Sequence, residues 1–150
     1  MPLTAIDISI GAIAFLDERD LVSPDVEAHI RVGGVADPDP KEARPFICYA
    51  MSGSMRFGIQ SVMTYWAPLT GTAKRERLVI RPEWIANPYG KLHDPIYLQD
   101  GARTFSGPAA IFVRASEQSE TRIAIRPTIV PLGVAAVVDE VRAQGGSMPK

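Results

Sequence analysis

The chain has 150 residues, of which 46% are hydrophobic and 22% charged, and its formal net charge is −1. This length fits one domain with a single core, and the composition argues against an intrinsically disordered chain. The one cysteine, Cys48, excludes an intrachain disulfide, and no apolar run is long enough to cross a membrane. We therefore expect a cytoplasmic protein without membrane contact.

The charge is unevenly distributed along the chain. Residues 1–42 hold nine acidic and three basic residues, whereas residues 43–126 hold eleven basic and six acidic residues. Such a distribution can steer an anionic partner to the middle of the chain or favour head-to-tail contact between two copies. Mutual neutralisation by neighbouring loops is the simpler explanation, because position along the sequence does not determine position in space.

The first third of the chain predicts two strands and a loop. Residues 4–10 alternate between polar and apolar side chains, and Gly11 then shifts the register of the apolar positions, as a glycine bulge does. Residues 26–32 alternate most cleanly, with Ala28 among the positions expected to face inward. Residues 36–45 are rich in Asp and Pro and predict an exposed loop.

The middle of the chain predicts a hairpin and further short strands. Residues 46–51 read as one apolar strand, Gly53 makes a tight connection, and residues 55–59 return. Apolar runs between turn signals indicate two more strands, at residues 96–98 and 109–113.

Only the C-terminal end has a helical pattern. Four valines spaced three and four residues apart share one face of residues 131–144, which begin with a proline and end before two glycines. We expect residues 145–150 to fray. The elements together predict one mainly β domain over residues 1–150, an antiparallel sandwich or barrel of about seven to nine short strands with one C-terminal α-helix.

A short motif occurs twice in the chain. Residues 77–82 read RLVIRP and residues 122–127 read RIAIRP, so each copy has two arginines around an aliphatic run and ends in proline. Each copy predicts a strand whose arginines share one face and whose proline confines its end to a sheet edge. The similarity decays after the prolines, which favours chance over a duplicated half-domain.

The arginines of this motif are the best candidates for a binding site. If the two strands are neighbours, they form a cationic face that can hold phosphate, carboxylate or an acidic protein surface. Nearby aromatic rings can act as stacking platforms. The predicted anion- or partner-binding residues are Arg75, Arg77, Arg81, Arg122 and Arg126, and the predicted stacking residues are Trp66, Trp84, Tyr89 and Tyr97. The plainer interpretation is that arginines cover the solvent face of a sheet and pair with nearby glutamates.

No sequence pattern indicates catalysis. The two histidines, His29 and His93, have no ligand-like spacing with each other or with Cys48. No nucleophile elbow and no phosphate-binding glycine pattern occurs. We therefore expect no catalytic residues, no metal and no cofactor.

Three functions remain open. The first is a non-enzymatic β module that assembles with itself or with other protein subunits in a larger complex. The second is a binding domain for an anionic or carbohydrate ligand, such as a nucleic acid or a glycan, that uses the arginine and aromatic residues. The third is a small metal-independent β-barrel enzyme with an enclosed cavity. The sequence favours them in that order.

Overall fold

A computed structural model of the protein describes residues 8–29, 44–53, 56, 58–74, 77–99, 103–120 and 125–149. Nine strands and two α-helices lie within these ranges. The strands are β1 (Ile13–Leu16), β2 (Glu27–His29), β3 (Arg44–Ser52), β4 (Met63–Thr70), β5 (Val79–Ile80), β6 (Ile85–Ala86), β7 (Ile96–Leu98), β8 (Thr104–Pro108) and β9 (Thr128–Ile129). The helices are α1 (Ala109–Ser119) and α2 (Pro131–Ala143).

Seven of the described strands form one antiparallel sheet with β3 and β4 at its centre. The order is β1, β3, β4, β7 and β5, and β4 also pairs with β8, which pairs with β2. On the side away from β3, strand β4 therefore has two partners. Its residues 63–66 pair with β8, and its residues 69–70 pair with β7. The other two described strands, β6 and β9, pair with each other in a small separate sheet.

Strand β1 is buried on both faces, although it lies at one end of the described strand order. Successive side chains of a strand point to opposite faces, and in β1 Ile13 and Phe15 join one hydrophobic cluster while Ala14 and Leu16 join another. A strand that is buried on both faces needs apolar residues at every position, and β1 has them. This explains why the strand reads as a continuous apolar run rather than as an alternating one.

The two helices cover these two clusters from opposite sides of the sheet. Val137 and Val141 of α2 are fully buried in the first cluster, and Phe112 and Ala115 of α1 are buried in the second. The ring of Phe112 stacks on that of Trp66, with the ring centroids 5.2 Å apart. Full burial stabilises the fold by about 1.5–3 kcal/mol for each large apolar side chain, so both helices contribute to the core.

The predicted fold class is confirmed at the level of a mainly β, antiparallel chain with a C-terminal helix. That helix is predicted at residues 131–144 and observed at Pro131–Ala143. The main sheet does not close into a barrel, since β1 and β5 lie at opposite ends of the described strand order. The expectation of one helix is wrong, because α1 is a second one.

The predicted strand at residues 109–113 is the beginning of α1. The buried positions of this helix, Ala109, Phe112, Ala115 and Ser116, recur every three to four residues, as they do on a helical face. A five-residue apolar run cannot distinguish a strand from a buried helical turn. The helical period becomes visible only when the window reaches the last two of these positions.

The predicted hairpin exists, but its second strand begins later in the chain. Strand β3 pairs with β4 in the register Ser52↔Met63, so the connection covers residues 53–62 rather than a tight turn. Gly53 has a φ of +88°, and a Cβ at this position would lie 2.0 Å from the carbonyl oxygen of Ser61. Glycine is therefore required where the chain leaves β3.

Two further predictions near β2 and β3 are corrected. Ala28, predicted to face the core, is exposed on β2, and the remaining positions of that predicted strand after residue 29 lie outside the described residues. The predicted loop at residues 36–45 ends earlier than expected. Arg44 and Pro45 already belong to β3, and residues 36–43 lie outside the described part of the chain.

The residues after α2, in the segment 145–150 that we predicted to fray, contact the main sheet at Gly145 and Ser147, and Lys150 lies outside the described residues. The carbonyl oxygen of Gly145 lies 2.8 Å from Nε2 of His29 on β2. The hydroxyl of Tyr49 on β3 donates a hydrogen bond to the carbonyl oxygen of Ser147. These contacts connect the residues after α2 to two strands of the main sheet.

Candidate functional site

An open cleft lies where β3, β4 and β7 meet, and we call it the Tyr97 cleft. Its volume is about 480 Å³, which is within the range of about 300–1,000 Å³ that small-molecule sites occupy. Its walls come from the start of β3, the end of β4 with the following turn, and the segment that leads into β7. The polar lining residues are Arg44, Thr70, Thr72, Lys91, Asp94 and Tyr97.

The strand register places Tyr97 at the centre of a row of outward side chains. It pairs with Thr70 on β4 and with Val79 on β5, and all three residues are half-buried or exposed. Its neighbours on β7, Ile96 and Leu98, are buried. Because side chains alternate along a strand, Tyr97 is turned away from the core, and it is one of the residues that line the cleft.

Two cationic side chains and one carboxylate line the Tyr97 cleft. Arg44 is the first residue of β3, and its guanidinium donates a hydrogen bond to the side-chain oxygen of Gln99. Lys91 lies in a short 3₁₀ helix, Gly90–His93, and Asp94 follows it directly; both side chains belong to exposed residues. The N–H of Asp94 donates to the carbonyl oxygen of Lys91 at 3.1 Å, so both side chains project from one turn.

The turn after β4 supplies hydroxyl groups and brings one predicted residue to the rim of the cleft. The N–H of Thr72 donates to Oγ1 of Thr70 at 3.2 Å. Nη1 of Arg77 donates to the carbonyl oxygen of Thr72 at 2.6 Å, which places this predicted arginine beside the cleft. A Cβ added at Gly71 would meet no heavy atom within 4 Å, so the turn leaves open space there.

Arg81 lies on the surface beside this part of the sheet but does not line the cleft. Its side chain is 65% exposed, and its Nη1 lies 3.9 Å from Oε1 of Glu83. The guanidinium carbon is 5.6 Å from the centroid of the Trp84 ring. Arg81 therefore stays a prediction for partner binding, and the predicted Arg75 and Arg122 lie outside the described residues.

Arg126 is part of the interior rather than of a cationic surface. Its side chain is 8% exposed, and its Nη1 lies 2.6 Å from Oε2 of the fully buried Glu120. The same nitrogen donates to the carbonyl oxygen of Ile13 at 3.1 Å, and Glu120 accepts the N–H of Phe15 at 2.8 Å. A ligand cannot reach a side chain that is enclosed in this way, and we withdraw Arg126 from the predicted binding residues.

A second buried ion pair also has a structural role. Arg103 is 5% exposed, its Nη2 donates to Oε1 of Glu18, and its guanidinium carbon lies 5.2 Å from the centroid of the Phe105 ring. The pair joins the 3₁₀ helix Glu18–Leu21 to the start of β8. Neither residue of the pair belongs to the lining of the Tyr97 cleft.

Within the described residues, the segments that follow the two arginine motifs pair with each other, and the motifs themselves do not. Strand β5 in the first motif pairs with β7, and the described part of the second motif, residues 125–127, is not in a strand. The segments directly after the motifs pair as β6 and β9, with Ile85 opposite Ile129. The described arginines of the two motifs therefore do not form one face of a sheet.

The four predicted stacking residues have different environments. Tyr97 lines the cleft, whereas Trp66 is 0% exposed in the core and offers no ring face to a ligand, so we withdraw it. Tyr89 is 37% exposed and packs edge-on against Phe15, with ring centroids 5.7 Å apart. Trp84 is half-buried. A stacking role for Trp84 and Tyr89 stays a prediction.

The buried thiol and hydroxyl of β3 are not activated groups. Burial raises the pKa of the Cys48 thiol to about 12, and burial also raises the pKa of the Tyr49 hydroxyl. A thiol acts as a nucleophile or metal ligand in its deprotonated form, which these surroundings disfavour. Among the described residues, no group of three His, Cys, Asp or Glu side chains is close enough to hold a metal ion.

Arg44, Lys91 and Asp94 were not identified from the sequence as parts of one site. Lys91 and Asp94 lie on one turn, whereas Arg44 is the first residue of β3. None of the three belongs to a recognisable motif, and the fold brings Arg44 to the other two. The signal that pointed toward them is the excess of basic residues between positions 43 and 126.

Comparisons of the chain with protein-family models, with curated proteins and with solved structures find no match. Within the described residues, neither helix has the length and apolar character that crossing a lipid bilayer requires.

Proposed function

We propose that the protein is a binding domain for an anionic or carbohydrate ligand and that the Tyr97 cleft is its binding site. The observation that supports this proposal is the meeting of Arg44, Lys91 and Tyr97 in one open cleft. Cationic side chains bind carboxylate or phosphate through charge-assisted hydrogen bonds, and an aromatic ring offers a flat apolar contact. A few convergent polar groups around such a contact are typical of small-molecule sites.

The two cations complement each other in this role. Arg44 is held in place by its hydrogen bond to Gln99, so part of its orientation is set before a ligand binds. Lys91 is exposed at the mouth of the cleft and can approach the ligand with a flexible side chain. Arg77 at the rim adds positive potential, which speeds the encounter with an anion.

The test is a charge reversal inside the cleft with a matched reversal outside it. Lys91→Glu changes a cleft residue, and Arg81→Glu makes the same type of change on the neighbouring exposed surface. Binding of the full chain to a panel of simple carboxylates, phosphate, neutral sugars and sugar acids is measured by calorimetry. We expect Lys91→Glu to weaken binding of an anionic ligand at least tenfold and Arg81→Glu to change it less than twofold. Equal effects of the two variants, or no binding by the unaltered protein, would contradict the proposal.

A second candidate is the non-enzymatic assembly module, which exposed apolar side chains near the start of α2 favour. Leu132 is 70% exposed, Ile125 is 65% exposed and Ile10 is 52% exposed. The N–H of Ile129 donates to the carbonyl oxygen of Gly11 at 2.7 Å, so the segments that carry these side chains lie against one another. We expect Leu132→Arg to lower the mass measured by light scattering, and a protein that is monomeric at all concentrations would exclude self-assembly.

A cytoplasmic location and the absence of membrane contact are part of the same proposal. The cytoplasmic location is supported by the single cysteine, Cys48, which is buried and has no second cysteine to pair with. The absence of membrane contact is supported by the described helices, neither of which is long and apolar enough to cross a bilayer. No observation in the described residues favours an enzyme over a binding domain.

A further inference from the structure

We infer that the ligand of the Tyr97 cleft is a sugar acid, which is a single sugar ring that carries hydroxyl groups and one carboxylate. This inference rests on the proposed function and adds the chemical class of the ligand. The observation behind it is the mixed charge of the lining, because Asp94 lines the same cleft as the cationic residues Arg44 and Lys91.

A carboxylate in the lining disfavours a bare anion as the ligand. An ionised aspartate only accepts hydrogen bonds, and at close range it repels a bound phosphate or simple carboxylate. Among the described residues, neither Asp94 nor Lys91 takes part in an ion pair. The carboxylate of Asp94 therefore does not neutralise Lys91, and it can accept a hydrogen bond from a hydroxyl group of the ligand.

The rest of the lining fits the other parts of a sugar. Thr70 and Thr72 provide hydroxyls that both donate and accept hydrogen bonds. The ring of Tyr97 can provide an apolar face for the C–H side of a sugar ring. Val79, which is 50% exposed, pairs with Tyr97 on β5 and lies outside the lining of the cleft. A phosphate or an acetate can accept hydrogen bonds from the two threonines, but it has no C–H face to set against the ring of Tyr97.

The dimensions of the cleft favour one sugar ring over a bulky ligand. A volume of about 480 Å³ lies in the lower half of the range for small-molecule sites. The positions of the side chains then assign their roles. Arg44 and Lys91 bind the carboxylate, Asp94 and the two threonines bind hydroxyls, and Tyr97 contacts the ring.

Calorimetry on the full chain tests the ligand class with matched probes. The sugar acids are D-glucuronate and D-galacturonate, the neutral counterparts are D-glucose and D-galactose, and the bare anions are acetate and phosphate. We expect at least one of the two sugar acids to bind at least tenfold more tightly than its neutral counterpart and than either bare anion. A sugar acid uses the cations for its carboxylate and the other lining groups for its hydroxyls and ring. A neutral sugar lacks the carboxylate, and a bare anion lacks the sugar ring.

Asp94→Asn distinguishes a site for a sugar acid from a site for a bare anion, because we expect it to weaken binding of the first ligand and to strengthen binding of the second. The substitution keeps the shape of the side chain and removes its charge. We expect binding of the sugar acid to weaken about tenfold, because a charge-assisted hydrogen bond becomes a neutral one. Binding of acetate and phosphate should become tighter, because a like charge is removed. Asp139→Asn, an exposed position on α2, is the matched control and should change neither.

The outcomes distinguish a failure of this inference from a failure of the proposed function. If acetate, phosphate or a neutral sugar binds as tightly as the sugar acids, or if Asp94→Asn shifts every probe in the same direction, the inference is overturned and a binding cleft remains. If no probe binds, or if Lys91→Glu leaves the binding of a sugar acid unchanged, the proposed function is overturned as well. Thermal unfolding of each variant confirms that the fold is intact.

Discussion

The two arginine motifs have nearly the same sequence and opposite environments. The last arginine of the first motif, Arg81, is 65% exposed and lies 3.9 Å from its carboxylate neighbour, Glu83. The corresponding arginine of the second motif, Arg126, is 8% exposed and lies 2.6 Å from the fully buried Glu120. One side chain faces solvent and the other is part of the interior. The comparison shows that the surroundings, rather than the motif, decide what such an arginine does.

The buried arginine completes the edge of the main sheet. Strand β1 pairs with β3 on one side, and on its other side the N–H of Ile13 donates to the carbonyl oxygen of Pro127 at 2.9 Å. The carbonyl oxygen of Ile13 accepts from Arg126, and the N–H of Phe15 donates to Glu120. These contacts take the place of a neighbouring strand. They satisfy buried backbone groups and protect an edge that could otherwise pair with another chain.

The largest effect is expected for Arg126→Met, which leaves the carboxylate of Glu120 buried without its cation. Loss of one partner of a buried ion pair costs about 3–5 kcal/mol, so we expect the free energy of unfolding to fall by about that amount in urea titrations. The second substitution Glu120→Gln should recover part of this loss, because it removes the unpaired charge. Additive effects of the two substitutions would show that the pair is not coupled.

The next largest effect is expected at Gly133, where the segments that follow the two motifs meet under α2. A Cβ at this position would lie 2.5 Å from Cγ2 of Ile129 and 3.0 Å from Cβ of Trp84. We expect Gly133→Ala to destabilise the protein by about 1–3 kcal/mol, since overcrowding outweighs the better helix propensity of alanine. Gly71→Ala is the control, because a Cβ there meets no atom within 4 Å. Equal melting temperatures of the two variants would contradict the close packing of α2.

We expect the burial of Cys48 to make the stability of the protein depend on pH in the alkaline range. Its pKa is about 12 in the folded protein against an ordinary value of 9.0, so the folded state holds the proton more tightly than the unfolded state. The contribution to stability is complete below pH 9.0 and is lost as the pH rises towards 12, by up to about 1.4 kcal/mol per pH unit. Unfolding midpoints measured between these limits should fall less steeply for Cys48→Ala. Parallel curves for the two proteins would refute this assignment.

The smallest effect is expected for Arg81→Met, the counterpart of Arg126→Met in the exposed motif. An exposed ion pair contributes about 0–1 kcal/mol, and a cation–π contact at the surface contributes about 0.5–1 kcal/mol. We therefore expect the free energy of unfolding to change by less than about 1 kcal/mol in the same urea titrations. If Arg81→Met costs as much as Arg126→Met, the exposure of the two arginines does not determine their contributions.

Local patterns predicted those parts of the fold that depend on neighbouring residues. The apolar run around Cys48 lies in β3, and the valine spacing of Val137 and Val141 marks the buried face of α2. The prediction of a strand at residues 109–113 was wrong because this apolar run is too short to show the helical repeat of α1, which continues to Ala115 and Ser116. The candidate site was predicted least well. Among the residues that line the cleft, the sequence predicted a binding role for Tyr97, as one of four stacking residues.

The sequence by itself determined that the chain is mainly β, that it ends in a helix and that its middle is rich in basic residues. Alternation, proline positions and composition carry this information over short distances along the chain. Only the tertiary structure decided that Arg126 is buried, that Arg81 is exposed and that Arg44, Lys91 and Asp94 share one cleft. These outcomes depend on contacts between segments that are distant in sequence, and two copies of one motif therefore reached opposite environments.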